Sequence, residues 1–125
     1  MATTIETGLP PMGQPFSWAT RVGPLMFTAQ GPVDARGGIA GDDIGAQARL
    51  TFENLRKSVQ AAGAGLSNVA QVLIYMKEAD DMRAIDEVYR EFFEPPYPNR
   101  SSVVVKGFAH PTMHIEIVAY VELPA

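Results

Sequence analysis

The stretch MHIEIVAYV (residues 113–121) decides the fold. Side chains alternate between the two faces of a strand, so Met113, Ile115, Ile117, Ala119 and Val121 share one side. That side is wholly apolar and belongs under a helical layer. His114, Glu116, Val118 and Tyr120 share the other side, which is mixed rather than polar. A second stretch, VAQVLIYM (69–76), has no polar face at all. A sheet that is apolar on both sides needs cover on both sides.

The cover on one side is legible. Ile44, Ala48, Phe52, Leu55, Val59 and Ala62 recur at spacings of three and four, a single apolar stripe on a helix of about 20 residues. Asp42 or Asp43 caps its start, and Gly63 and Gly65 stop it. Gln47, Arg49, Glu53, Arg56, Lys57 and Gln60 lie off the stripe and are expected to face water. A second helix opens at Asp80 or Asp81, carries Met82, Ile85, Tyr89 and Phe92, and ends before Pro95, Pro96 and Pro98. FSWATRV (16–22), LMFTAQ (25–30) and SSVVVK (101–106) complete the strands, after a Pro/Gly lead-in at 7–15. The order β-β-α-β-α-β-β predicts one α+β domain spanning 1–125, with both helices on one face of a mixed sheet. The other face is then expected to meet a second copy of the chain.

Composition agrees. The 125 residues are 46% hydrophobic but only 19% charged, below the roughly 25% usual for a soluble domain. Surface hidden between chains would account for the deficit. There is no cysteine, which excludes thiol nucleophiles, disulfides and Cys-zinc sites. A net charge of −4 disfavours nucleic-acid binding. No apolar run reaches the roughly 18 residues that span a bilayer, and Met1–Gly13 lacks a basic, apolar signal pattern. No membrane association is expected, and the expected location is cytoplasmic.

Two residues draw attention as chemistry. Glu116 sits between Ile115 and Ile117, where burial would raise its pKa toward general acid–base use; a rim glutamate reaching water is the plainer alternative. Arg100 enters a strand after PPYPN, where a guanidinium can grip a carboxylate bidentately or simply face solvent. Were its strand to pair with 113–121, Arg100 or Ser102 would lie near Glu116. His114 and Glu116, at i and i+2, could both hold a metal, but no third ligand has a source; a hydrogen-bonded or interfacial histidine is the better reading. The Gly37-Gly38/Gly41 cluster lacks phosphate-loop spacing, the serines lack a nucleophile elbow, and Trp18 beside Phe16 reads as packing.

Several segments together resemble the Rid (reactive intermediate deaminase, YjgF) family: PFSWA (15–19), FTAQGPVD (27–34), the helix and strand over 46–78, YREFF (89–93), YPNRSSV (97–103) and HIEIVA (114–119). The resemblance covers Pro15 to Val121, and the last two segments are its most specific parts. It implies a chorismate-mutase-like fold assembled as a homotrimer, sheets inward, with clefts between subunits. It further implies cofactor-free, metal-free hydrolysis of amino-acid-derived enamines and imines to 2-oxo acids and ammonia. Carried over, Arg100 would clamp the substrate carboxylate and Glu116 would handle water and protons. Phe16, Ala29, Gln30 and Ser102 would line the substrate pocket.

The chain departs from the family pattern at Phe16 (tyrosine in the pattern), Ala29 (glycine), Ser102 (often cysteine) and Asp86 (asparagine). These changes alter pocket shape and polarity while keeping the clamp and the acid. Two other functions stay open on this basis. One is a small-carboxylate-binding or regulatory protein without turnover. The other is a ribonuclease or translation inhibitor, which the acidic balance opposes.

Overall fold

The computed structural model describes residues 1–125. Its elements are β1 (Thr3–Thr4), β2 (Ala19–Val22), β3 (Leu25–Gln30), α1 (Ile44–Ala61), β4 (Val69–Met76), α2 (Met82–Phe92), β5 (Asn99–Val104) and β6 (Ile115–Glu122). One six-stranded sheet runs in the order β1-β2-β3-β6-β4-β5. Only β4 and β5 are parallel, and α2 bridges them. β6 runs antiparallel between β3 and β4, so the most apolar strands occupy the centre.

The expected layer is present. Phe52, Leu55 and Val59 of α1 and Ile85 and Val88 of α2 pack into one core with Val72, Ile74, Ile115, Ile117 and Ala119. Phe52 anchors it, meeting Tyr89 and Phe93 edge-on at centroid distances of 5.5 and 6.1 Å. Asp43 supplies the cap of α1, its Oδ1 accepting the Ala46 N–H at 2.8 Å. The opposite sheet face has no helical cover. Leu25, Phe27 and Val103 on it are 46%, 37% and 44% exposed, a large apolar area for a lone domain.

Two expectations need correction, and the structure also adds an edge strand and settles a pairing that was open. The strand read over 16–22 begins only at Ala19, because the Phe16 N–H turns back to the Gln14 carbonyl and Trp18 Nε1 donates to the Pro10 carbonyl. A two-residue strand, Thr3–Thr4, precedes the lead-in and extends the sheet edge. Gln47 does not face water: it is 2% exposed. Finally, β5 pairs with β4 and not with β6, so Arg100 sits beside Val72 at the sheet edge.

That pairing places Arg100 well away from Glu116. Arg100 aligns with Val72 and Val72 with Ala119, both buried beneath the helices. Glu116 aligns with Tyr75 and Tyr75 with Val103, on the uncovered face. The two residues are therefore two strands apart, three positions apart in register and on opposite faces. Strand spacing and rise put their backbones roughly 14 Å apart.

Candidate functional site: two half-clefts on opposite faces

The first half-cleft surrounds Glu116. Phe16, Trp18, Ala29, Met113 and His110 enclose about 290 Å³ above it. Phe16 and Trp18 meet edge-on at 4.9 Å, so Trp18 belongs to this wall rather than to the core. Phe16 is 49% exposed at the mouth. Ala29 projects from β3 opposite Val118, on the uncovered face. Glu116 is half-buried, and this burial raises its carboxyl above the ordinary value; the nearby His110 imidazole offsets part of the rise. His114 acts instead on Asp81, which burial also pushes up. The two histidines thus diverge, and no three His, Asp or Glu side chains converge as a ligand set.

Polar residues of α1 hold both walls in place. Gln47 Nε2 donates to the Thr112 carbonyl at 2.8 Å, and its Oε1 accepts the His114 N–H at 2.8 Å. This fixes the loop that carries His110. Gly41 lets the chain pass α1 here: with φ +108°, a Cβ would stand 2.9 Å from the Gln47 nitrogen. Asn54 Nδ2 donates to the carbonyls of Gly31 and Val33 at 3.1 and 2.9 Å, fixing the opposite wall. Gln30 lies in that wall, but its amide turns inward and donates to Ser58 Oγ and Thr28 Oγ1 at 2.9 and 2.8 Å. Its amide N–H groups are thereby committed within the fold.

The second half-cleft surrounds Arg100, between β5 and α2. Asp86, Tyr89, Arg90, Tyr97 and Pro98 enclose about 250 Å³ with it. Arg100 Nε donates to Ser102 Oγ at 2.9 Å, so Ser102 orients the guanidinium. Nη2 lies 2.6 Å from Asp86 Oδ1 and 3.1 Å from Met82 Sδ, and the guanidinium carbon sits 4.8 Å over the Tyr89 ring. Tyr89 is 4% exposed and its hydroxyl has no partner. Burial pushes that hydroxyl up to about 12, keeping it a neutral donor.

The structure thus brings Glu116, Phe16, Ala29 and Gln30 together, and places Arg100 and Ser102 elsewhere. The positioning roles of Gln47 and Asn54 were not legible as such. Their only signal was polarity on or beside an apolar helix stripe, which ordinarily means solvent.

Two helices over one face of a mixed six-stranded sheet, with the other face bare, define a chorismate-mutase-like α+β protein. The chain belongs to the Rid (YjgF) family: the family model described as Endoribonuclease L-PSP matches residues 9–123. A RutC family protein of Pyrococcus horikoshii is 36% identical over 120 residues, covering 94% of each chain. The 2-iminobutanoate/2-iminopropanoate deaminase of Salmonella typhimurium is 31% identical over 110 residues, covering 84% of this chain and 86% of that one. Among solved structures, Escherichia coli TdcF with bound serine superimposes with a TM-score of 0.87 at 30% identity, covering 98% and 99% of the two chains. No helix is long and apolar enough to cross a membrane.

Proposed function

We propose that the chain hydrolyses imines and enamines of small amino-acid-derived carboxylates in clefts formed between subunits of a homotrimer. Arg100 of one subunit grips the substrate carboxylate, and Glu116 of a neighbour handles water and protons. The observation that carries this is the placement of the two residues on opposite faces of one sheet, each in its own half-cleft. Neither half-cleft alone holds both Arg100 and Glu116. Copies packed through the bare apolar face would bury it and could bring unlike half-clefts together. The deaminase name of the Salmonella relative and the serine in TdcF support a small amino-acid-like ligand.

The chemistry needs little else. Arg100 fixes orientation by its carboxylate grip. For an enamine, Glu116 in its protonated form delivers a proton to carbon, giving the iminium; as a carboxylate it then takes a proton from water. That water adds to the C=N carbon. The amine nitrogen takes up a proton and leaves as ammonia, and the remaining hydroxyl loses its proton to give the 2-oxo acid. A carboxyl held above the ordinary glutamic acid value suits both roles.

Ammonia release tests the proposal. Purified protein is expected to accelerate ammonia formation from an imino acid generated in situ, above the spontaneous rate. No acceleration with any of several imino acids would overturn it. The pH profile carries a second expectation. Glu116 must be ionised to activate water, and burial favours its neutral form, so the acid limb of kcat/KM lies above the ordinary glutamic acid range. A protonated His110 favours the carboxylate, so His110→Ala is expected to move the limb to higher pH. A limb that moves down, or stays fixed, would separate His110 from Glu116.

One observation favours binding without turnover: Phe16 stands at the mouth of the Glu116 half-cleft and brings no hydroxyl to it. Such a binder would show ligand affinity without ammonia release. Cleavage of RNA, which the family description raises, fits poorly with a net charge of −4.

A further inference from the structure

We propose that Asp86 makes the Arg100 half-cleft selective for carboxylates carrying a cationic nitrogen on the adjacent carbon, an iminium or an ammonium. This rests on Arg100 being the carboxylate clamp. Asp86, on α2, is not a distant neighbour of that clamp. Its Oδ1 lies 2.6 Å from Arg100 Nη2, and the two side chains are only 32% and 22% exposed. Oδ1 itself is enclosed and has no hydrogen bond of normal geometry, so the contact is ionic rather than a saturated pairing. Arg100 Nε is already committed to Ser102. The clamp and its acid therefore present a neutral, dipolar pair to whatever enters.

A plain monocarboxylate meets that pair poorly. Its negative charge gains Arg100 but is brought close to the Asp86 carboxylate in a partly desolvated cleft, where like charges repel strongly. A 2-imino or 2-amino acid carries its positive nitrogen one carbon from the carboxylate. Its two charges are spaced like the Arg100–Asp86 pair and oppose it in sign. Arg90 also lines the cleft, but it is exposed, and solvent screens its charge. The unpartnered, neutral Tyr89 hydroxyl offers a hydrogen bond without altering the charge balance. Selection for the protonated imine also fits hydrolysis, because the iminium is the form that water attacks. The 2-oxo acid product keeps the anionic carboxylate but lacks the cationic nitrogen, so it meets the Asp86 charge unpaired and would leave more readily.

L-Alanine and pyruvate test this directly, since they differ only at the second carbon. Calorimetric titration of the wild-type protein is expected to give tighter binding of alanine than of pyruvate. Asp86→Asn removes the charge at nearly constant shape and is expected to shift the alanine-to-pyruvate affinity ratio toward pyruvate by about tenfold or more, the size of one charged hydrogen bond. Two results would overturn the proposal. One is wild-type protein that binds pyruvate as tightly as alanine, a result that does not depend on any variant folding. The other is an Asp86→Asn protein in which both affinities change by the same factor, which is what a purely positioning role gives. The clamp is tested separately. Loss of both ligands in Arg100→Met upholds it, and unchanged binding of both would remove the clamp whatever Asp86 does.

Discussion

Arg100→Ala is expected to lower kcat/KM for an imino-acid substrate by about a hundred- to a thousandfold, chiefly through a raised KM. The magnitude follows from removing one member of a hydrogen-bonded charge pair between protein and ligand, typically about 2–5 kcal/mol. The same substitution disturbs the resting protein. It strips the cation from over the Tyr89 ring and leaves Asp86 Oδ1 enclosed without its counter-charge. Full burial of such an orphan would cost several kcal/mol; at 32% exposure about 1–2 kcal/mol is expected. The two effects separate in the double variant Arg100→Met/Asp86→Asn. Methionine restores the aliphatic packing, and asparagine removes the stranded charge. Denaturant midpoints should therefore recover in the double variant while KM stays high. Recovery of KM together with the midpoint would mean that Arg100 serves folding and not substrate. A single variant that turns over an imino acid like wild type would end the clamp assignment.

The parts of this arrangement that periodicity encodes were legible in the sequence, and those that depend on pairing were not. The alternation over 113–121 correctly assigns Ile115, Ile117 and Ala119 to the helical side and Glu116 to the other. The stripe from Ile44 to Val59 is equally explicit, because a helix face buried against a sheet leaves a 3.6-residue rhythm. Strand order leaves no such mark. SSVVV reads the same whether it pairs with β6 or, as it does, with β4, and that choice puts Arg100 at the edge beneath α2. Gln47, Asn54 and Ser58 break the pattern differently. Each is buried because it satisfies groups in loops or in β3, and those partners are distant in sequence. Polarity on a helix ordinarily signals solvent, so such residues are concealed until the loops are placed. Arg100 and Glu116 both stand out in the sequence as candidates. That one protomer cannot bring them together is a property of sheet topology alone.

This topology yields the second prediction. Glu116→Gln keeps shape and removes the acid–base function, so turnover should fall about a hundredfold or more, with a smaller change in KM. Arg100→Met removes the clamp. Each variant alone is then nearly inactive, yet the two defects lie on opposite faces of the chain. In a cyclic assembly each cleft would take its clamp from one subunit and its acid from the next. A cleft built from the Arg100 of a Glu116→Gln subunit and the Glu116 of an Arg100→Met subunit is intact. Random mixing at equal amounts makes about a quarter of clefts intact, so co-refolded protein should regain about a quarter of wild-type activity. Mixing the folded variants without subunit exchange should regain none, which controls for contamination. The double variant Arg100→Met/Glu116→Gln, co-refolded with wild type, gives the converse check. There, too, about a quarter of clefts are fully wild type, and no cleft with one wild-type contribution is active. If the co-refolded single variants form mixed oligomers and regain nothing, both groups must act from the same chain. The opposite-face placement would then have to be bridged by a rearrangement of β5 against β6, contrary to the pairing with β4.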